Sequence, residues 1–403
     1  MPLVAGAVMA LAALPATTAP ALADPEVVGI RVGAQQGLTR VVVTVTEAIK
    51  YRVSVLSDPY RLIIDLPVVE WRVPSQSALS NAGPVTAYRF GSFSAEATRV
   101  VIDLSRPVRI DKVFHLAPKD NIRTWRVVVD LADISAEEFD RILRDQSKRQ
   151  PTPDDRSPPK AEKPRGAKPV IVLDPGHGGV DPGSTGASGA KEKDIVLQMG
   201  RELQAALNKT GRYKVVLTRE GDTYVPLRGR YEIARRSAAE LFLSLHADSN
   251  NNPIYRGTSV YTLSERASDQ EADALAKREN RSDVIAGVDL SGESDQVAGI
   301  LIDLAQRETL NQSIRLADVL VGEMRRETAM VPKPHRSAGF AVLKAPDVPS
   351  VLIEFGHISN PKDEKLLQTP AYRAKTLAAV VRSVNKYFDY MAKLENSPRA
   401  RHN

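Results

Sequence analysis

Cysteine is absent from the 403-residue chain. No disulfide framework, iron–sulfur cluster, zinc–thiolate site or cysteine nucleophile is therefore available. Histidine is scarce, with only 6 in the chain, so each can be weighed separately. Neither sign of charge dominates: 55 Lys and Arg face 49 Asp and Glu, a net of +6. That mild excess suits a polyanionic envelope polymer or a membrane surface. It is too diffuse for nucleic acid, and no RRM, zinc-finger or helix-turn-helix signature accompanies it. Hydrophobic residues at 42% and charged residues at 26% exclude a wholly disordered chain. At ~150 residues per domain, the length predicts two or three domains.

Residues 1–23 lack charge and are rich in Ala, Leu and Val. They end Ala21-Leu22-Ala23, with small residues where a signal peptidase cuts. A signal peptide over 1–23 and export are the expectation, although no Lys or Arg precedes the apolar run. Pro15 and Pro20 interrupt it, which argues against a permanent membrane span.

Residues 27–133 read as β. Arg40-Val41-Val42-Val43-Thr44-Val45 and Arg61-Leu62-Ile63-Ile64-Asp65-Leu66 are β-branched strands. Both recur, as Thr98-Arg99-Val100-Val101 echoing Thr39-Arg40-Val41-Val42, and as Arg126-Val127-Val128-Val129-Asp130-Leu131. The two-fold repeat predicts a β-sandwich of two similar sheets. No catalytic constellation is visible there, and His115, among apolar neighbours, reads as a packed structural histidine. Residues 145–169 are rich in proline and charge and read as an extended linker.

From 170 to 391 the pattern alternates. Continuous apolar strands at 170–173, 214–218, 241–245 and 351–353 are separated by helical stretches at 195–207 and 231–239, with another at 371–391. This predicts α/β architecture, a mostly parallel sheet covered by helices on both faces. Three of the strands run into a polar, potentially reactive residue: His177 after Asp174-Pro175-Gly176, His246, and Glu354. In open α/β sheets, sites gather beyond the carboxyl ends of strands. Glu192 stands where the next helix should begin. Alone it reads equally as a first-turn carboxylate favoured by the helix dipole, and His246 as a histidine bonded to a carbonyl. Glu354, between Ile353 and Phe355, needs a partner or a perturbed pKa. Two histidines with a carboxylate match a catalytic zinc set that leaves one position open.

Several motifs in this region carry a resemblance. They are Val172-Leu173-Asp174-Pro175-Gly176-His177-Gly178-Gly179, Lys191-Glu192-Lys193-Asp194, Leu217-Thr218-Arg219, Ser244-Leu245-His246-Ala247, Gly339-Phe340-Ala341-Val342-Leu343 and Pro349-Ser350-Val351-Leu352-Ile353-Glu354. In this order, residues 170–391 resemble the zinc-dependent N-acetylmuramoyl-L-alanine amidases of the cell-wall hydrolase type. Residues 27–133 resemble, more loosely, the AMIN-type targeting domain that precedes such amidases in Gram-negative bacteria. The resemblance implies that Zn2+ is held by His177, Glu192 and His246, with Glu354 as the catalytic carboxylate. The implied substrate is the amide between N-acetylmuramic acid and L-alanine in peptidoglycan, and the implied setting is the periplasm, at the septal wall during cell separation. The β-rich part would bind the wall and contribute no catalysis. His357, Arg235 and Asp248 depart from the family's usual residues, and His357 raises the question of an extra imidazole near the site. His335 and His402 read as surface residues.

Other readings stand beside this one. A wall carboxypeptidase would need an arginine for a terminal carboxylate, and Arg219, Arg230 and Arg336 are candidates. A non-catalytic peptidoglycan-binding scaffold would be favoured by loss of a ligand, and all four residues are present. Residues 264–327 form a long insertion with helices near 268–280 and 296–326. In the first, Ala272, Leu275 and Ala276 form an apolar face that Glu279 joins at the i+7 position. Glu279 either ends a helix in water or occupies the open zinc position. The resemblance favours the second, since many Gram-negative relatives carry an inhibitory helix displaced by an activator. In the second helix, Val297, Ile300, Leu301, Leu304, Ile314, Ala317, Val321 and Met324 would pack on the domain or offer a surface to a LytM-like activator.

Overall fold

The computed structural model describes residues 24–35, 37–74, 76–94, 96–147, 166–288 and 300–395. The expected signal peptide over 1–23, most of the linker, Val297 and His402 lie outside the described residues.

The β-branched repeat builds a sandwich. Its strands are β1 (Glu26–Gln35), β2 (Leu38–Val45), β3 (Arg52–Leu56), β4 (Arg61–Pro67), β5 (Glu70–Trp71), β6 (Gln76–Ala82), β7 (Val85–Ser92), β8 (Ala97–Leu104), β9 (Val108–Leu116) and β10 (Trp125–Asp133). They form two five-stranded sheets, β5-β1-β2-β10-β9 and β3-β4-β8-β7-β6. The repeat is exchanged between the sheets: β2 of one half pairs β10 of the other, and β4 pairs β8. Consequently the Arg40–Asp130 pair in one sheet has its counterpart in Arg99–Asp65 in the other, each pair directly opposite across its strands. Alternate residues such as Val41, Val43, Leu62, Ile64, Val100, Ile102, Val127 and Val129 fill the core. Helix α1 (Ala136–Ser147) inserts Phe139 into that core, edge-on to Tyr60. His115 differs from expectation: it lies on an exposed stretch of β9, its ring against Trp125 at 5.7 Å. At the sheet edge its apolar sequence neighbours do not enclose it.

The second half comprises β11 (Val170–Pro175), α2 (Glu192–Lys209), β12 (Lys214–Leu217), α3 (Leu227–Arg236), β13 (Leu241–His246), β14 (Thr258–Leu263), α4 (Gln270–Glu279), α5 (Ser282–Ile285), α6 (Ile300–Met324), β15 (Met330–Ala338), β16 (Ser350–Glu354), α7 (Pro361–Gln368) and α8 (Pro370–Glu395). The sheet order is β12-β11-β13-β16-β14-β15. The first four strands are parallel, β14 runs antiparallel to β16, and β15 is parallel to β14. The sheet is therefore mixed. Helices cover both faces, as fully apolar strands require. Val196, Leu203, Leu316, Leu320, Val380 and Val384 pack α2, α6 and α8 on one face. Leu227, Ala234, Ala272 and Leu275 pack α3 and α4 on the other. Among the described residues, no helix is long and apolar enough to cross a membrane.

Candidate metal centre

The first imidazole is delivered by a turn that two buried arginines hold. Near its end β11 carries Asp174, a fully buried carboxylate. It accepts from Thr218 Oγ1 at 2.6 Å, Ser244 Oγ at 2.8 Å and Arg230 Nη1 at 2.9 Å. Burial would raise its pKa, but Arg230 and the two hydroxyls outweigh burial and hold it below its ordinary value. Arg230 also donates to the carbonyl of His177 at 2.8 Å, and Arg219 to those of Pro175 and Gly176 at 2.9 and 2.8 Å. So clamped, His177 adopts a φ of 60°, a left-handed conformation uncommon for a residue other than glycine. Its Nδ1 faces Asp181 Oδ2 at 2.9 Å, and Asp181 also accepts from Gly183 N–H and the Ser282 hydroxyl. With Nδ1–H given to Asp181, the lone pair is on Nε2, which is buried and has no hydrogen-bond partner among the described residues.

The second imidazole, His246, ends β13 directly beside Glu354 at the end of β16. Glu192, the first residue of α2, is fully buried. Its Oε1 lies 3.3 Å from His177 Nε2 and 3.2 Å from His246 Nδ1, and accepts from Ala247 N–H at 2.8 Å. Its Oε2 accepts from Ser184 N–H. Glu279, at the end of α4, brings Oε2 to 3.4 Å from His177 Nε2 and 3.1 Å from His246 Nδ1. His177, His246 and Glu279 each offer a ligand atom within 4.8 Å of the others. For bonds of about 2.0 Å, a tetrahedral ion sets ligand atoms about 3.3 Å apart. The four nitrogen–oxygen separations, 3.1 to 3.4 Å, lie close to that edge, and His177, His246 and Glu279 form the mutually close group that Glu192 flanks. The residues thus fit a metal ion.

The electrostatics agree. Burial disfavours an imidazolium, yet Glu279 and Glu192 overcome it and lift His246 to about 10. His177 is raised well above its ordinary value in the same way, against burial, by Glu192, Asp181 and Glu279. Clustered carboxylates here require a positive charge, which protons or a metal can supply.

Glu354 is fully buried. Its Oε2 accepts from Asp248 N–H at 2.9 Å, while Oε1 has no partner among the described residues. Burial first, then Asp248, Glu192 and Glu279, push its pKa well above the carboxylate range, with His246 opposing. Asp248 meets Arg278, the neighbour of Glu279, and Ser184 Oγ at 2.8 Å. Burial, Glu279 and Glu192 raise Asp248 to about 6, against Arg278.

The structure brings His177, Glu192, His246, Glu354 and Glu279 together. His357 does not join the converging groups: its buried ring stacks on Tyr255 at 4.8 Å. His335 meets Asp318 and Thr262, and Arg235 pairs with Asp347. The arginines a carboxypeptidase would need are engaged elsewhere. Arg219 and Arg230 hold the His177 turn, and Arg336 pairs with Glu271 and Asp269. Sequence reasoning missed Asp181 and the Asp174–Arg230 pair. Asp174 carried a signal, as a carboxylate closing a continuous apolar strand.

An α/β domain with a buried His–His–carboxylate cluster at strand ends has the make-up of a metal-dependent hydrolase. The family model described as N-acetylmuramoyl-L-alanine amidase matches residues 171–386, and the AMIN domain model matches residues 28–131. The chain is 33% identical over 376 residues to the N-acetylmuramoyl-L-alanine amidase AmiC of Escherichia coli O6:H1, covering 90% of this chain and 89% of that one. It is 32% identical over 400 residues to AmiC of Neisseria meningitidis serogroup B, covering 96% and 95%. With AmiA of Escherichia coli K12 it shares 41% identity over 240 residues, 59% of this chain and 82% of the relative. The chain belongs to the N-acetylmuramoyl-L-alanine amidases, enzymes of peptidoglycan, and carries an AMIN domain ahead of the catalytic region.

Proposed function

We propose that the chain is a zinc amidase held off by its own Glu279. His177, Glu192 and His246 would hold the ion, and Glu354 is the catalytic carboxylate. Zinc would supply a Lewis acid that polarises the amide carbonyl and acidifies water. Glu354 takes the proton from the attacking water at its unpartnered Oε1 and gives it to the departing L-alanine nitrogen. The backbone N–H of Asp248 fixes the other oxygen, so the carboxyl does not swing away.

The observation that carries this reading is the pair of imidazole nitrogens meeting Glu192 and Glu279 at tetrahedral-edge distances. Three ligands with a fourth position for water define a catalytic zinc site, and Glu279 stands in that fourth position. Glu279, Asn280 and Ser282 also wall the cavity beside His177 and His246. Residues 27–133 act in wall targeting, residues 264–327 carry the regulatory helices, and the periplasm at the dividing septum is the place of action. An activator of the LytM-like type would draw α4 away. In α6, Ala317 and Met324 are buried on the domain while Ile314 is exposed, leaving only part of that helix for a partner.

The test is digestion of purified sacculi by the zinc-loaded chain with and without chelator. Released peptides with a free L-alanine amino terminus, lost on chelation and restored by zinc, are the expected result. Release that survives chelation, or cleavage at another amide, overturns the reading.

A further inference from the structure

Among the described residues, the β domain meets the catalytic domain at two places, and both lead to the metal cluster. The first is the short run that follows Glu279. Terminal carbonyls of a helix lack intrahelical donors, and cations there also oppose the helix dipole favourably. Three arginines of the β domain serve the end of α5. Arg61 of β4 donates to the Val284 carbonyl. Arg89 of β7 donates to Ile285 O at 2.8 Å. Arg99 of β8 donates to Gly287 O at 2.7 Å and to Ala286 O at 3.4 Å. These guanidiniums are preset within their own domain. Asp103 pairs with Arg89, Asp65 grips Arg99 through both oxygens at 2.6 and 2.9 Å, and Phe93 lies 3.5 Å beneath Arg99.

An apolar contact reinforces them. Ile63 and Val101 alternate with core residues of the sandwich and so face outward, where water would be expected. They are only 2% and 0% exposed, because Val180, Tyr224 and Ala286 cover them. Gly287 has a φ of 67°, and a Cβ there would stand 2.5 Å from Ile63 Cδ1. The second place is the ligand loop itself. Tyr224 N–H donates to Ser92 O at 3.3 Å, and a Cβ on Gly179 would fall 1.8 Å from that same oxygen.

From the gripped run, polar contacts reach the site. The Ser282 hydroxyl donates to Asp181, the partner of His177. Asp283 accepts from Tyr224 Oη at 2.6 Å and Leu227 N–H at 2.9 Å. Asn280 donates to Gly339 O and accepts from Ala341 N–H.

We propose that Arg61, Arg89 and Arg99 are positioning residues of the blocked site: the docked β domain pins residues 284–287, which keeps Glu279 at the imidazoles, and its release lets α4 leave. This rests on the reading of Glu279 as the blocking ligand. The domain read as a targeting module would then also control the site it targets.

The experiment uses the full zinc-loaded chain and a soluble N-acetylmuramoyl peptide, for which wall targeting is irrelevant. Variants are Glu279→Ala, Arg89→Ala with Arg99→Ala, Arg99→Lys, and Gly287→Val. The last attacks the contact from the catalytic side and leaves the Asp65 pair intact. Initial rate and backbone hydrogen exchange over 279–288 are both read. A hydrogen bond from a charged donor is worth about tenfold in a local opening equilibrium. The double variant should therefore raise the rate about tenfold or more, up to the gain from removing Glu279 itself, with faster exchange over 279–288, and Arg99→Lys should fall between wild type and the double variant. If Glu279→Ala raises the rate while the arginine and glycine variants change neither readout, the clamp is wrong and the blocking role stands. If Glu279→Ala also leaves the rate unchanged, the blocking role falls. The clamp on Glu279 then falls with it, whatever the exchange over 279–288 shows.

Discussion

Replacing Glu279 with glutamine removes one negative charge from the cluster and almost nothing else. The side chain is 6% exposed and lies 3.1 Å from His246 Nδ1 and 3.4 Å from His177 Nε2. Removing one partner of a buried charge pair costs about 3–5 kcal/mol, far more than an exposed pair is worth. The blocked arrangement loses stability by that order. Other anchors remain: Asn280 on Gly339 and Ala341, Ser282 on Asp181, and Arg278 on Asp248. Arg278 is 43% exposed, so its ion pair is screened and contributes little. Taking the low end, about 3 kcal/mol, the open fraction rises about 100-fold while the blocked state still predominates. Initial rates on a soluble N-acetylmuramoyl peptide should climb by about one to two orders of magnitude, and chelator should abolish the gain. Zinc content and thermal unfolding of each preparation separate unblocking from damage. A folded, zinc-loaded Glu279→Gln protein no faster than wild type would refute the reasoning.

Glu354→Gln should keep its metal and lose about 10²–10⁴-fold in turnover, read by single-turnover kinetics beside metal analysis. Asp181→Ala removes the acceptor that fixes the His177 tautomer; zinc affinity, measured against a chromogenic chelator, should fall about 10–100-fold. Protons and metal compete for the imidazoles, with His246 at about 10 in the metal-free cluster. Zinc uptake at neutral pH should therefore release protons. Affinity should weaken as pH falls, by about tenfold per unit for each proton displaced, and level off above the raised pKa values. Calorimetry in buffers of different ionisation enthalpy counts those protons, and zero release would contradict the charge balance of the cluster.

The parts of this site that could be read in advance are those where one residue breaks a local pattern. His246 and Glu354 end continuous apolar strands, and Glu279 sits on the apolar face of an amphipathic helix; each is a polar group where periodicity demands an apolar one. Burial then obliges a partner: His246 and Glu279 meet each other, and Glu354 takes the backbone N–H of Asp248. The repeat in the β half was equally legible, because Arg40 and Asp130 recur as Arg99 and Asp65. Strands β14 and β15 were not, and β15 shows why. Its sequence Met330-Val331-Pro332-Lys333-Pro334-His335-Arg336-Ser337-Ala338 holds two prolines, which mark loops except at a sheet edge, and β15 is an edge strand.

What remained hidden depends on partners far away in the chain. Ser282 looks like an ordinary helix residue until its hydroxyl meets Asp181, 101 residues away. Arg99 has the same strand context as Arg40, yet only Arg99 caps a helix end, at Gly287, 188 residues distant. The sequence did hold a trace of that difference. Leu62-Ile63-Ile64 and Val100-Val101-Ile102 are apolar without alternation, although a sandwich strand with one wet face should alternate. The same lack of alternation at Val41-Val42-Val43 and Val127-Val128-Val129 made it look like a property of the repeat. The packing tells the sheets apart at one pair only: Val101 is buried under Ala286 and Tyr224 whereas Val42, its counterpart in the repeat, remains partly exposed, while Ile63 and its counterpart Val128 are both 2% exposed. A continuous apolar run in a two-sheet domain therefore signals that some outer face is covered, but the identity of the cover is fixed by a surface on another domain, and no local period records it.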